Sequence, residues 1–373
     1  MIAVDEDQWP PPPRHNAELI GHETAESSLI NSFDSNTLPH AWLITGPRGV
    51  GKATLAYRFA RFLLSKGGNS NMQTGMFGDS LPTDKAERLY TAPESPVFRR
   101  IAAGGHADFL SVERGLNERG KPRTEIIVDD VRSISAFLNL TSAEGGWRVV
   151  VIDSADDMNR NAANAVLKVL EEPPSGVLLL LVSHNPGRLL PTIRSRCRKL
   201  VLKPLKEDVV ADLVLKYSPG MAFDGASQLA RLSEGSIGRA LSLVEEGGLE
   251  LYRELLQLLK SLPDLDAAAL HKFSDRVGKS GADDAFRVVS DLLRWWIGRL
   301  VLMGAGNRAE SRGGDSADEQ ALMARMISAG GLDRWLEVWE KINSLLERTE
   351  SAYLDRKQVI LSVFLTLETT VRL

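Results

Sequence analysis

At 373 residues the chain is too long for one compact hydrophobic core and predicts two or three domains. Its 43% hydrophobic and 25% charged residues are those of a soluble globular protein, while a net charge of −4 and a pI near 6.0 exclude a chain that grips nucleic acid alone over a broad basic face. The one cysteine, Cys197, excludes an internal disulfide framework and any cysteine-based zinc site, so no zinc is expected, and it reads as a small buried apolar residue. No apolar run reaches the ~18 residues of a membrane span, so no membrane partner is expected. The acidic start, Met1 to Asp7, lacks the basic and apolar regions of a signal peptide. With a lone cysteine that suits reducing conditions, this places the protein in the cytoplasm.

Residues 1–16 hold Trp9 and the run Pro10 to Pro13, which cannot form a regular helix and predicts a flexible arm. A helical pattern follows from Glu18 to about Phe33, then a turn at Pro39-His40. Next come an apolar run from Ala41 to Thr45, the loop Gly46-Pro47-Arg48-Gly49-Val50-Gly51-Lys52-Ala53-Thr54, and a helix with Leu55, Phe59, Phe62 and Leu63 on one face. A phosphate chain needs backbone N–H groups aimed at it, room for close backbone approach, and a cation. Gly46, Gly49 and Gly51 supply the first two, Lys52 the third, and the following helix presents its positive end. The spacing is that of a Walker A motif, with one departure: Ala53 stands where Ser or Thr holds Mg²⁺. Thr54, about 100° further round the helix, is the remaining hydroxyl for that metal. An ATP site, weak or vestigial, with Mg²⁺ only if nucleotide binds, is the reading.

Ser65 to Thr83 is rich in Gly, Ser and Asn and predicts an exposed loop. Phe109–Val112 is a short strand candidate, Glu113 to Pro122 a solvated charged turn, and Ile126 to Val128 an extended run before a helix over 129–140. The Val/Ile run ending at Asp153 predicts a strand covered on both faces. Asp153 at its end is the candidate Mg²⁺ carboxylate, but the next residue is Ser154, and a seryl hydroxyl is a poor base for orienting water. Asp156 and Asp157, beyond the strand end, are expected to face solvent. Asn159 to Glu172 predicts a helix closed by Pro173-Pro174, with further strands at Val177 to Val182 and Lys199 to Leu202. Strands alternating with helices over 17–204 make a doubly wound, parallel α/β domain.

Beyond Leu205 the strand signal stops. Three short helices over 205–247, near 206–217, 223–232 and 236–246, predict a small helical domain. Longer patterns near 249–262, 264–277, 283–303, 332–346 and 350–371 predict an all-helical unit over 248–373. Gly304 to Glu319 reads as a flexible insert, and Trp295-Trp296, pointing in different directions, as one packing residue and one free to face a partner subunit.

Two stretches carry a resemblance. Asn161-Ala-Ala-Asn-Ala-Val-Leu-Lys-Val-Leu-Glu-Glu-Pro-Pro174 and Pro191-Thr-Ile-Arg-Ser195-Arg196-Cys197, with the phosphate loop, are similar to the clamp-loader branch of the AAA+ ATPases. The resemblance covers most of 18–203; the helical remainder is similar to that family's lid (205–247) and collar (248–373) with less specific signals. It implies a ring of AAA+ subunits, gamma/tau and delta among them, that opens the sliding clamp and loads it on primer-template DNA for the bacterial DNA polymerase III holoenzyme. It also implies that Arg196 reaches into a neighbour's ATP site in trans. Three departures separate the chain from the family's motor subunit, gamma/tau: Ser154 replaces the catalytic glutamate, the zinc-module cysteines are missing, and Gly238 stands where a sensor arginine would. Two alternatives stay open, a competent gamma/tau-like ATPase and a P-loop phosphotransferase with a small-molecule acceptor.

Overall fold

The computed structural model describes residues 10–67, 88–116, 120, 123–144, 146–279, 281–306, 317–352 and 354–372. Most of the expected loops at 65–83 and 113–122, the insert at 304–319 and the arm at 1–16 therefore lie wholly or partly outside the described residues. The chain divides into two compact units, Met1–Val209 and Val210–Leu373.

In the first unit the order is α1 (Glu23–Asp34), β1 (Ala41–Thr45), α2 (Lys52–Gly67), α3 (Pro96–Ala102), β2 (Phe109–Val112), α4 (Val128–Leu138), β3 (Arg148–Ile152), α5 (Arg160–Glu171), β4 (Val177–Ser183), α6 (Pro191–Arg196) and β5 (Arg198–Val201); α7 (Glu207–Tyr217) starts here and runs mostly in the second unit. The strands form one parallel sheet in the order β2-β3-β4-β1-β5. Its apolar residues divide by parity. Trp42, Ile44, Val149, Val151, Leu178 and Leu180 pack with α1 and α2, while Ala41, Leu43, Val150, Ile152, Leu179 and Leu181 pack with α4, α5 and α6. Every residue of β1, β3 and β4 is buried, which is why these strands read as continuous apolar runs. The edge strand β5 is largely exposed, as its Arg-Lys start requires. The expected α/β P-loop module is thus the observed one.

Two expectations at the start of this unit need correction. The first helix begins at Glu23, because Gly21 takes a left-handed φ of +83° and a Cβ there would meet Leu205 Cδ2 at 2.5 Å. The segment from Pro10 to Asn16, expected to be loose, is bound down. Arg61, buried in α2, donates to the carbonyls of Arg14 at 2.9 Å and Asn16 at 2.6 Å, with its guanidinium 4.4 Å over the Phe98 ring. Arg58 beside it donates to the Ala17 carbonyl and pairs with buried Glu26 at 2.8 Å. Burial and the charge of Arg58 push the Arg61 pKa down to about 10. Short helices α3 and α6 had no periodic signal, since each opens on a proline at its first turn and spans only two turns or fewer.

The second unit is helical: α8 (Phe223–Leu232), α9 (Ile237–Glu245), α10 (Gly248–Lys260), α11 (Ala267–Gly278), α12 (Asp283–Gly304), α13 (Ala317–Gly330), α14 (Leu332–Ala352) and α15 (Arg356–Arg372). Trp295 and Trp296 are both buried within it, against the expectation that one faces outward; Trp295 meets Tyr252 edge-on at 6.0 Å and carries Arg299 over its ring. The expected insert also ends early. Glu319 belongs to α13 and forms a buried ion pair with Arg231 of α8 at 3.2 Å, joining the proposed lid segment to the proposed collar segment.

The Arg61 contacts give the first prediction. Arg61→Met keeps the apolar stem but orphans two carbonyls at about 1–3 kcal/mol each. Urea unfolding is expected to show that loss, and limited proteolysis to cleave within residues 10–16 faster than in the wild-type chain.

Candidate functional site

All strands being parallel, the carboxyl ends of β1, β2, β3 and β4 open on one edge of the sheet, and the register aligns them. Thr45 pairs with Ser183, Ile152 with Leu181, and Val112 with Ile152. The residues that follow, Gly46 to Gly51, Glu113, Asp153 to Asp157 and His184, therefore share that edge, the usual ligand position of such folds.

The loop depends on glycine at defined places. Gly46, Gly49 and Gly51 take φ of +147°, +76° and +105°. A Cβ on Gly46 would stand 2.3 Å from the Leu202 carbonyl oxygen, and one on Gly51 2.9 Å from Leu19 Cδ1. Val50 is buried, and its carbonyl accepts from Nε2 of His22 at 2.6 Å, so that ring carries its proton on Nε2; burial holds its pKa below the usual value. Pro47 and Arg48 are exposed on the loop. No sequence signal singled out Leu19 and His22, because their role exists only once the segment before α1 lies against the loop.

Lys52 opens α2 and is 3% exposed. Its Nζ donates to the carbonyls of Gly46 at 2.8 Å and Pro47 at 2.5 Å, so the cation closes its own loop. Burial pushes its pKa down to about 8, against the pull of Asp156 and then Asp153. Ala53, half-buried after it, has no oxygen to offer, and Thr54 is buried. Burial, then Glu113, pushes the Asp153 carboxyl up, and Lys52 draws it back. Ser154 sits in the left-handed region at φ +60° and its Oγ lies 3.1 Å from His184 Nε2.

Asp156 corrects an expectation. It is buried, not solvent-facing, and accepts from the backbone N–H groups of His184 and Asn185 at 3.0 Å each. Those bonds outweigh burial and hold its pKa below the usual value. It therefore clamps the end of β3 to the end of β4 and is committed to that task. Asp157 pairs with Arg114 at 3.5 Å. His184, which sequence reading passed over, lies between these groups; burial, then the Lys52 charge, lowers its pKa, and its Nδ1 is buried without a hydrogen bond. On the other side, Arg14 reaches Glu113 at 2.7 Å and Ser111 at 3.3 Å, with the Tyr57 hydroxyl 3.0 Å from Ser111.

The site residues fit a phosphate chain better than they fit its metal. Lys52 and the loop, once Nζ leaves its two carbonyls, would hold phosphate oxygens; Mg²⁺ would find Asp153 and no hydroxyl directly after the lysine. Among the described residues no group of three or more His, Cys, Asp or Glu is placed to hold a metal ion, and no described helix is long and apolar enough to cross a membrane.

Arg196 ends α6 at a separate corner of the module. Ile193 and Cys197 sink into the core beside α5, which leaves Arg194 and Ser195 exposed and Arg196 about a third exposed. Burial pushes the Cys197 thiol up to about 12, so it is an anchor and not a nucleophile.

Residues 21–206 match a family model described as "DNA polymerase III, delta subunit". The chain is 34% identical to the DNA polymerase III subunit delta' of Pseudomonas aeruginosa over 62% of this chain and 63% of that protein. It is 32% identical to the DNA polymerase III subunit delta' of Escherichia coli (strain K12) over 64% of each, and 30% identical to the DNA polymerase III subunit tau of the same strain over 63% of this chain and 33% of that protein. The matches thus span less than two thirds of each relative.

Lys52 yields a pH prediction. Its folded pKa, about 8, lies below the ordinary 10.5 of the unfolded chain, so between these values the unfolded state binds more protons and stability rises with pH. Denaturant unfolding at pH 7.5 and pH 10.5 is expected to show that this rise is larger in the wild type than in Lys52→Met.

Proposed function

We propose that this chain, whose residues 21–206 match that family model, works as a delta-prime-type subunit of a DNA polymerase III clamp loader. In this reading it joins gamma/tau and delta subunits in a AAA+ ring, helps open the sliding clamp, and places it on primer-template DNA, which it contacts mainly through the complex. Its own nucleotide site is weak or silent, and Arg196 serves the ATP site of a neighbour. Residues 205–247 act as lid and 248–373 as collar.

The observation that carries the reading is Ser154, in a left-handed turn and engaged with His184, at the position where a hydrolysing relative needs a carboxylate. Asp156 cannot take its place while it clamps two backbone N–H groups. A subunit that keeps the loop but lacks the base can still contribute to a ring through its shape and its arginine. A guanidinium stabilises the charge that spreads over a transferring phosphoryl group, and supplying it from another subunit couples hydrolysis to ring geometry. Association has its own candidate surface in the second unit, where Leu332, Leu336 and Trp339 recur every three or four residues along α14 and are each at least 36% exposed. The second reading, a gamma/tau-like motor, is favoured by the intact spacing of Gly46, Gly51 and Lys52 and by the tau relative.

Purification of the tagged chain from its own cells, with identification of what co-purifies, tests the assignment: recovery of polymerase and clamp-loader subunits is expected, and their absence refutes it. Phosphate release by the isolated chain is expected to be negligible and unchanged by Lys52→Ala; a fast rate that this substitution abolishes restores the motor reading.

In the reconstituted complex Arg196→Ala is expected to lower DNA- and clamp-stimulated ATP hydrolysis and clamp loading. The affected site loses roughly 10³ to 10⁵ in rate, the worth of a trans arginine, and total turnover falls less because other sites keep theirs. Arg196→Lys is expected to rescue little, an ammonium lacking the planar fork. The double substitution Leu336→Glu, Trp339→Glu is expected to leave helicity intact by circular dichroism while the chain leaves the complex on a sizing column.

A further inference from the structure

Arg196 is held at two points. Its Nη1 donates to the carbonyl of Thr192, one turn back, at 3.0 Å, and its Nη2 lies 2.9 Å from Oε1 of Glu171. Glu171 is the last residue of α5, the helix of the Asn161 to Pro174 stretch. An acid at a helix C-terminus faces the negative end of the helix dipole, so α5 gains nothing locally from a carboxylate there. Arg196 provides its countercharge, from a helix whose Ile193 is buried against the same core as Leu170.

A guanidinium has five N–H donors. Two are engaged here, which sets the plane of the fork and leaves the others for an incoming anion. An unrestrained arginine would surrender its rotamer freedom at each docking event, whereas one already fixed surrenders less. We infer that Glu171 is a positioning residue for Arg196, its carboxylate fixing the guanidinium plane so that the unused donors meet the phosphate of a nucleotide bound by a neighbouring subunit. The inference rests on the reading of Arg196 as a trans donor.

The test is a double-substitution cycle in the assembled clamp loader, with rates expressed per assembled complex. Glu171→Gln keeps the shape and removes the charge. Its kcat for DNA- and clamp-stimulated ATP hydrolysis is expected to fall about twofold to fivefold, the range that one solvent-facing ion pair supports. KM for ATP should stay put, since the neighbour's own loop binds the nucleotide. In an Arg196→Ala background the same substitution should change nothing further. A wild-type kcat in Glu171→Gln beside a lowered one in Arg196→Ala overturns the inference and leaves the trans role standing. A raised kcat, or losses that add in the double variant, also overturn it, because Glu171 would then restrain Arg196 or act elsewhere. If Arg196→Ala itself hydrolyses ATP at the wild-type rate, both the trans role and the inference fall.

Discussion

A parallel sheet whose inner strands are buried on both faces leaves one place for a nucleotide site of its own. The faces of the inner strands β3, β4 and β1 are taken up by α1 and α2 on one side and by α4, α5 and α6 on the other, so that, edge strands apart, the described residues leave no exposed sheet surface on which a site could be built. What remains is the edge where β1 to β4 release the chain. The phosphate loop, Glu113, Asp153 to Asp157 and His184 are neighbours for that reason alone, though more than a hundred residues of sequence separate the first from the last. Since β4 lies between β1 and β3, the residue at its end is the one that meets both the loop and the acidic turn. His184 occupies that position.

Charge at this edge is balanced almost entirely by the protein itself. The Lys52 ammonium, taken out of water, is satisfied by carbonyls of its own loop, and Asp156 by amides of the next strand's end. A buried ion without partners would be far costlier than these arrangements. The same economy makes the site reluctant. A phosphate must draw Lys52 away from two acceptors before the lysine can serve it, and Asp156, two residues past the missing base, is already in use.

Much of this was legible in the residues. The five strands were marked by Val, Ile and Leu runs, the loop by glycines whose spacing matches their left-handed backbone, and α5 by Asn159, which caps it at Ala162 N. Cys197 read correctly as a buried apolar residue because nothing else in the chain could pair with it. What escaped had a common physical cause, a contact between residues far apart in sequence. Asp156 looked like a solvated acid because its partners are amides 28 and 29 positions away. Trp295 and Trp296 point to different sides of α12, yet the helix is surrounded closely enough to bury both. Glu319 belonged to a polar stretch until Arg231 gave it a partner. His22 and Arg14 carried no periodic or motif signal at all.

The segment from Pro10 to Ala17 lies outside the stretch that matches the family, yet it is woven into the module through Arg58, Arg61 and Arg14. Homology and cooperativity therefore draw different boundaries. A domain trimmed at residue 21 would retain the fingerprint of the family and lose the acceptors of a buried guanidinium, together with the cation that faces Glu113 at the end of β2. The family's shared outline is narrower than the unit that folds, and here the difference falls beside the nucleotide edge.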